Sequence, residues 1–186
     1  MQFKGPPDDK YFIAYHYPYT FSDLQKSLHR ICRNPVNDYV IRKSSLCESL
    51  GGNECSLLTV TDFDPASFKS SPLINRKYVL LSGRVHPGES NSSHIVEGIF
   101  KYLIGDSENA KILRKKCIFK IVPMLNPDGV VNGSHRCSLA GVDLNRRWKR
   151  PSMTSNPTIF WTKLLWRFLI KLKGHPVVIQ PNPVGV

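Results

Sequence analysis

The segment His86-Pro87-Gly88-Glu89 carries two side chains that can ligate a metal ion. It follows the apolar run YVLLS at residues 78–82, which is typical of a buried strand. Pro at the second position of a four-residue turn suits types I and II, and Gly at the third suits type II, in which φ is positive there. Such a turn brings the imidazole and the carboxylate together. One histidine and one glutamate are two of the three protein ligands of a His₂Glu zinc site.

A second pair with the same spacing, His94 and Glu97, lies in a segment that predicts a helix over residues 92–104. On a helix, this spacing is typical of a surface hydrogen bond or ion pair. A lone His-x-x-Glu pair also suits an ordinary strand-to-loop turn. The turn chemistry favours the pair His86 and Glu89 for metal, and we expect the helical pair to be structural.

Further along the chain, four residues have side chains that could serve the binding and cleavage of a peptide substrate. A terminal carboxylate is best held by a planar, bidentate donor, which Arg146 supplies, with Asn145 beside it as another donor. Arg136 could polarise a scissile carbonyl and stabilise an oxyanion. Asp143 could accept the spare N–H of a zinc-bound histidine. By composition alone, each of these arginines is more often a solvated surface charge.

Three segments in this order, RVHPGESNSS, VPMLNPDGVVNGSHRCSLAG and GVDLNRRW, resemble the zinc metallocarboxypeptidases. Within that family they are similar to the cytosolic carboxypeptidase subgroup, which trims glutamates from polyglutamylated tubulin and other acidic tails. YFIAYHYPYTFSDLQ at residues 11–25 resembles the start of that subgroup's catalytic domain. The resemblance covers about residues 11–179. It implies an α/β fold with a mixed, largely parallel central sheet flanked by helices, truncated before the last strands.

The resemblance also implies roles for the residues singled out above. The histidine and glutamate of the turn match two zinc ligands, and Asp143 matches the residue that orients the zinc-bound histidine. Arg136 matches the catalytic arginine that polarises the carbonyl. Asn145 and Arg146 match the pair that binds the substrate's terminal carboxylate.

The family's third zinc ligand is a later histidine, and no segment matches it, the general-base glutamate or the substrate-capping tyrosine. His175 precedes the expected last strand and His135 lies in a loop, so either could only substitute for that ligand. We therefore expect one zinc ion with an incomplete ligand set, and weak or no peptidase activity in this chain. A non-catalytic module that binds acidic peptide tails is the alternative.

Periodicity and turn signals predict the elements that must position these residues. Residues 126–157 are expected to be turn-rich, including a tight turn at NPDG. The predicted domains are 1–10 as a remnant of a preceding region or disordered, 11–180 as a partial zinc carboxypeptidase catalytic domain, and 181–186 as a divergent tail. The predicted helices are 22–31, capped by Ser22 or Thr20, then 92–104, 108–116 and 158–172, and the predicted strands are 40–46, 57–61, 78–82, 117–124 and 177–179.

The predicted last helix, residues 158–172, carries a basic stripe opposite an apolar stripe. Such a helix could lie on a membrane surface or bind a partner, but the commoner arrangement is a surface helix packed on the sheet with a solvated basic face. The stripes are Lys163, Arg167 and Lys171 against Phe160, Leu164, Leu165 and Phe168.

The formal net charge is +12, and the excess lies in residues 111–186, where Asp128 and Asp143 are the acidic residues. Such a field attracts polyanions, namely nucleic acid, anionic lipid or acidic peptides. No zinc-finger spacing, RNP-like motif or phosphate loop occurs, so no nucleic-acid partner is expected. The five cysteines form no C-x-x-C pair and no apolar run could span a membrane, which favours the cytoplasm. With the resemblance, this favours acidic peptide tails, tubulin above all, as partners.

Overall fold

A five-stranded mixed sheet organises the chain. The computed structural model describes residues 5–6, 8, 10–173 and 177–179. The expected remnant at 1–10 lies mostly outside these residues, as do the tail at 181–186 and His175. The strands are β1 (Ile41–Glu48), β2 (Glu54–Val60), β3 (Lys77–Ser82), β4 (Cys117–Val122) and β5 (Val177–Ile179), and their spatial order is β1-β2-β4-β3-β5.

The strand directions confirm a mixed, largely parallel sheet. β2 runs antiparallel to both of its neighbours, β1 and β4. β3 runs parallel to β4 on one side and to β5 on the other. Four of the five described strands therefore point the same way, and their carboxyl ends define one edge of the sheet.

Helices flank this sheet, and their caps are readable in the sequence. The Thr20 hydroxyl accepts a hydrogen bond from the Asp23 amide at 3.0 Å, and the Asp23 carboxylate accepts one from the Thr20 amide at 2.9 Å. This capping box selects Thr20 over Ser22 as the start of the first helix. The helices are α1 (Phe21–Cys32), α2 (Ser90–Ile104), α3 (Glu108–Lys116), α4 (Pro127–Val131) and α5 (Pro157–Lys173).

Each face of the sheet carries its own apolar cluster. On β2, Leu58 and Val60 face one cluster, whereas Cys55 and Leu57 face the other. This alternation follows from the period of two along a strand. The first cluster contains Leu28 of α1 and Phe100 of α2. The second lies beneath the candidate site and is formed by Cys55, Leu57, Val85, Val122, Leu125, Leu144 and Ile159.

Two sequence-based expectations need correction. NPDG is the start of the short helix α4, which Asn126 caps by accepting a hydrogen bond from the Gly129 amide at 3.0 Å, rather than an isolated tight turn. On α5 the buried residues include Ile159 and Leu169, whereas Leu164 and Phe168 of the expected apolar stripe are exposed. The basic stripe is not uniformly solvated either, since the ammonium group of its first lysine donates to two backbone carbonyls.

Candidate active site

The turn at residues 86–89 follows β3 after three intervening residues. The Glu89 amide donates to the His86 carbonyl at 3.2 Å, which closes the turn. Gly88 does not have positive φ, so of the two turn types that the sequence allowed, type II is excluded. Glycine is needed there for space, because a Cβ would lie 2.3 Å from Nδ1 of His135 and 2.8 Å from its carbonyl oxygen. The Gly88 amide donates to that same carbonyl at 2.7 Å.

His86 lies between two carboxylates. Its Nε2 is 3.1 Å from Oδ1 of Asp143, and its Nδ1 is 3.0 Å from Oε1 of Glu89. Only 5% of the His86 surface is exposed. An Nε2–H that donates to Asp143 leaves the Nδ1 lone pair directed toward Glu89. The structure thus brings together three residues that are separated by up to 57 positions in the chain.

His86 and Glu89 supply part of the ligand set of one zinc ion. Glu89 Oε2 is buried and has no hydrogen-bond partner in the described part of the chain, although a buried carboxylate oxygen normally has one. Two ligand atoms at 2.0–2.2 Å from a tetrahedral zinc lie about 3.4 Å apart, so the 3.0 Å between Nδ1 and Oε1 needs only a small opening. Within residues 10–173, no group of three or more His, Cys, Asp or Glu side chains could hold a metal ion.

The carboxylate of Asp143 also binds Arg136. Its Oδ2 accepts from Nε at 2.9 Å and from Nη2 at 2.7 Å. Burial alone would raise the pKa of Asp143, but hydrogen bonds from the Asn145 amide, His86 and Arg136 together lower it. Asp143 therefore stays ionised at neutral pH. The side chain of Arg136 is 46% exposed, so its remaining N–H groups face the solvent.

Asn145 and Arg146 follow Asp143 in a short 3-10 helix, Leu144–Arg146. The Asn145 amide donates to Asp143 Oδ1 at 2.8 Å, and the Asn145 side-chain oxygen accepts from the Trp148 indole at 3.0 Å. This contact uses the side-chain oxygen of Asn145 as the acceptor and leaves its amide N–H groups as donors. Arg146 is exposed. Lys163 of α5 fixes the following loop by donating to the Trp148 carbonyl at 2.6 Å.

The other His-x-x-Glu pair has different partners. Glu97 accepts a hydrogen bond from Ser27 of α1 at 2.5 Å and forms an ion pair with Lys101 at 2.8 Å. The His94 ring packs edge-on against Tyr19 with the ring centroids 5.0 Å apart. These contacts join α1 to α2, as expected of a structural pair, but histidine and glutamate are not each other's partners.

Sequence reasoning did not find Arg84, which is 4% exposed and lies two residues before the first residue of the ligand turn. Its guanidinium donates to the Pro87 carbonyl, the Ser93 hydroxyl and the Tyr19 carbonyl. Burial lowers the pKa of Arg84 to about 10, which leaves it charged at neutral pH. The available signal was an arginine placed directly after a buried apolar strand.

Asp128 is the second residue that sequence reasoning missed. Its carboxylate is buried and accepts hydrogen bonds from the Ser49 hydroxyl at 2.5 Å, the Gly51 amide at 3.0 Å and the Asn53 amide group at 2.8 Å. Asp128 therefore fixes the hairpin between β1 and β2 to α4, which packs beside the ligand turn. The sequence separation of more than 70 residues hides this contact.

Comparison with known proteins identifies the family. Residues 36–160 match the family model for zinc carboxypeptidases. The chain belongs to the zinc carboxypeptidase family. Human cytosolic carboxypeptidase 1 is 49% identical over 175 residues, which are 92% of this chain and 14% of that protein. Mouse cytosolic carboxypeptidase 2 is 44% identical over 163 residues, which are 88% of this chain and 19% of that protein.

The zinc carboxypeptidase fold is also found in solved structures. A metallocarboxypeptidase from Burkholderia cenocepacia aligns with a TM-score of 0.73 and 28% identity, over 88% of this chain and 40% of its own. Carboxypeptidase A from Helicoverpa armigera, at 14% identity, shares the fold with a TM-score of 0.62 over 90% of this chain and 46% of its own. This chain thus spans less than a fifth of the length of the two cytosolic carboxypeptidases named above.

No helix in the described part of the chain is both long enough and apolar enough to cross a bilayer.

Proposed function

We propose that this site is the zinc-binding and carboxylate-binding part of a carboxypeptidase that removes C-terminal glutamates from acidic peptide tails in the cytoplasm. Polyglutamylated tubulin is the proposed substrate. One observation carries the proposal, namely that Asp143 joins a candidate metal ligand, His86, to a candidate carbonyl-binding group, Arg136, through its two oxygens. The family match supports the peptidase chemistry, and the names of the relatives support the cytosolic location.

The metal would be held by His86 Nδ1 and a carboxylate oxygen of Glu89. When bound, zinc would activate a water molecule and polarise the scissile carbonyl. The chain's own contribution is orientation. Asp143 holds the imidazole in the tautomer that presents Nδ1, and the turn hydrogen bond holds Glu89 beside it. Glu89 is at the N-cap position of α2 without a capping side-chain bond, so its carboxylate is available.

Arg136 would bind the scissile carbonyl oxygen. Its contacts with Asp143 use Nε and Nη2. Nη1 therefore remains as a donor for the oxygen on which negative charge develops. Because the arginine is fixed by a carboxylate that also fixes the metal ligand, the two electrophilic groups are positioned relative to each other.

Asn145 and Arg146 would bind the C-terminal carboxylate of the substrate. Trp148 orients the Asn145 amide, and Arg146 supplies the planar donor pair. Exposed basic residues continue from this point along the chain, and we propose that they bind the glutamates upstream of the cleavage position. These residues are Arg147, Lys149 and Arg150.

For the 186-residue chain alone, we propose peptide binding with weak turnover. The support is that residues 10–173 supply two zinc ligands, whereas a catalytic zinc uses three. A second candidate function follows from the same observation, namely a module that binds acidic tails without cleaving them. The two candidates differ in whether binding depends on zinc.

The test uses a peptide that ends in several glutamates. Glutamate release is measured with added zinc and with a chelator, and peptide affinity is measured by calorimetry. Arg146→Ser should weaken binding about tenfold, since a hydrogen bond to a charged group contributes about 1.5–3 kcal/mol and solvent screens an exposed arginine. Lys116→Ser is the matched control, because this exposed lysine immediately precedes β4, at the opposite end of the strand from the site.

The outcomes separate the candidates. Chelator-sensitive release supports the peptidase and shows that the ligand set is completed. Tight binding that survives both the chelator and His86→Ala, without release, supports the binding module. Equal loss of affinity in the Arg146 and Lys116 variants would contradict the proposed carboxylate site.

A further inference from the structure

Arg84 has an unusual backbone conformation. Its φ is +54°, and it is the one non-glycine residue with positive φ in the part of the chain that the structure describes. Positive φ is sterically unfavourable for most L residues, because Cβ comes too close to the following carbonyl oxygen. Glycine could adopt this conformation freely. An arginine is therefore present at a position where its side chain must compensate for the strain.

The side chain of Arg84 connects three separate parts of the structure. Nε donates to the Pro87 carbonyl at 2.8 Å, Nη1 to the Ser93 hydroxyl at 2.8 Å, and Nη2 to the Tyr19 carbonyl at 3.1 Å. Pro87 belongs to the ligand turn, Ser93 to the first turn of α2, and Tyr19 to the segment before α1. The guanidinium thus fixes the turn both to the helix that follows it and to the N-terminal segment.

The backbone of Arg84 continues the sheet toward the turn. Its carbonyl accepts from the Asn126 amide at 3.2 Å, and its amide donates to the Ser92 hydroxyl at 2.9 Å. Together with the side-chain hydrogen bonds, these two backbone bonds fix Arg84 to the segment after β4 and to the first turn of α2. The position of His86, two residues later, follows from this arrangement.

We propose that Arg84 is the positioning residue of the zinc-ligand turn. The three hydrogen bonds of its guanidinium group, called the fork below, hold His86 and Glu89 close enough together to bind one metal ion. This proposal rests on the zinc site proposed above and extends it to a residue that does not touch the metal. The fork, rather than the charge, is what the turn requires, because the acceptors of the side chain are two backbone carbonyls and a hydroxyl.

A matched control lies at the other end of the same strand. Arg76 immediately precedes β3, is 2% exposed, and donates to the Thr61 hydroxyl at 2.8 Å and to the Ser71 carbonyl at 2.7 Å. It is a buried arginine with a comparable hydrogen-bonding role that is remote from the turn. Arg76→Met therefore reports the general cost of removing a buried guanidinium from β3.

Three substitutions at position 84 separate the contributions. Arg84→Met removes the fork and the charge, Arg84→Lys keeps the charge but not the fork, and Arg84→Gly relieves the strain without restoring the fork. If the fork is what matters, all three loosen the turn. If the charge is what matters, Arg84→Lys behaves like the wild type and the proposal is overturned.

The first readout needs no metal. Amide hydrogen exchange is measured at Gly88 and Glu89, whose N–H groups donate to the His135 and His86 carbonyls and close the turn. The Arg84 variants should accelerate exchange at these amides at least about tenfold more than at Ile121 in the core. Arg76→Met should accelerate all three amides by similar factors. A similar acceleration in the Arg84 variants would overturn the proposal.

The second readout is zinc affinity, measured by competition with a chromophoric chelator on folded protein. The Arg84 variants should bind zinc about 10- to 100-fold more weakly, as is usual for outer-shell partners of a metal site, whereas Arg76→Met should bind it as the wild type does. Unchanged affinity in all Arg84 variants would refute the positioning role. If the wild type shows no zinc binding that depends on His86, the proposed zinc site fails, while the exchange measurement still decides the role of Arg84.

Discussion

Gly129→Ala tests the contact between α4 and the zinc-ligand turn. A Cβ at this position would lie 2.2 Å from Cγ of Pro87, 2.9 Å from Oδ1 of Asn126 and 2.9 Å from the Cys137 carbonyl oxygen. Carbon atoms pack at about 3.5–4.0 Å, so the proline ring and α4 must separate by about 1.3–1.8 Å. Pro87 lies between the two ligands, and its displacement therefore reaches them.

The size of the effect follows from three contributions. Overpacking costs about 1–3 kcal/mol, and displacing the Asn126 cap from the Gly129 amide costs about 1 kcal/mol. Replacing glycine with alanine in a helix returns up to about 1 kcal/mol. The free energy of unfolding should therefore fall by about 1–4 kcal/mol, and zinc affinity should fall with it.

The control for this substitution is Gly98→Ala in α2. A Cβ there meets no atom within 4 Å among the described residues, so the variant should gain up to about 1 kcal/mol. Urea unfolding followed by circular dichroism measures both variants, and chelator competition measures zinc. The reasoning is refuted if Gly129→Ala is as stable as the wild type or binds zinc equally tightly.

Three further variants test the scaffold by urea unfolding. Asp128→Ala should lower the unfolding free energy by about 2–3 kcal/mol, since it leaves buried donors of the β1–β2 hairpin unsatisfied, and no change would contradict the anchoring role. Phe100→Ala should cost about 3–5 kcal/mol, because its ring is fully buried, and a smaller cost would show a collapsible core. Burial alone would raise the pKa of Glu97, but hydrogen bonds, first that from Lys101, lower it below its ordinary value. The ionised Glu97 carboxylate therefore stabilises the fold at neutral pH, and this stabilisation is lost on acidification. Glu97→Gln should accordingly lose less stability between pH 6 and pH 3 than the wild type or the exposed control Glu48→Gln.

The parts of the fold that local chemistry determines could be predicted from the sequence. Strand β3 and the turn after it follow from a short apolar run and a Pro-Gly pair. The capping residues of α1 are within three positions of each other. The contact of Asp143 with His86 was anticipated from the resemblance of GVDLNRRW to the zinc metallocarboxypeptidases rather than from any local pattern.

The remaining errors come from contacts that join distant segments. The sequence offered positive φ in a type II turn as one reason for glycine at position 88, but the actual constraint is His135, which no local pattern reveals. The buried face of α5 was wrongly predicted because this helix carries hydrophobic side chains on most of its faces. Hydrophobic periodicity therefore does not single out the face that packs on the sheet. Arg84 and Asp128 act on partners chosen by the tertiary fold. A charged residue that is buried by such contacts looks in the sequence like a surface residue.

The order of strands in the sheet has a consequence for synthesis on the ribosome. β4 pairs with β2 on one side and with β3 on the other, yet it is translated after both. Translation proceeds at about 5–20 residues per second, so the edges of β2 and β3 that pair with β4 stay unpaired for on the order of seconds before β4 emerges. During that interval the nascent chain exposes apolar strands that can pair with other chains. Ribosome-associated chaperones should therefore engage this polypeptide until the strand at residues 117–122 has emerged.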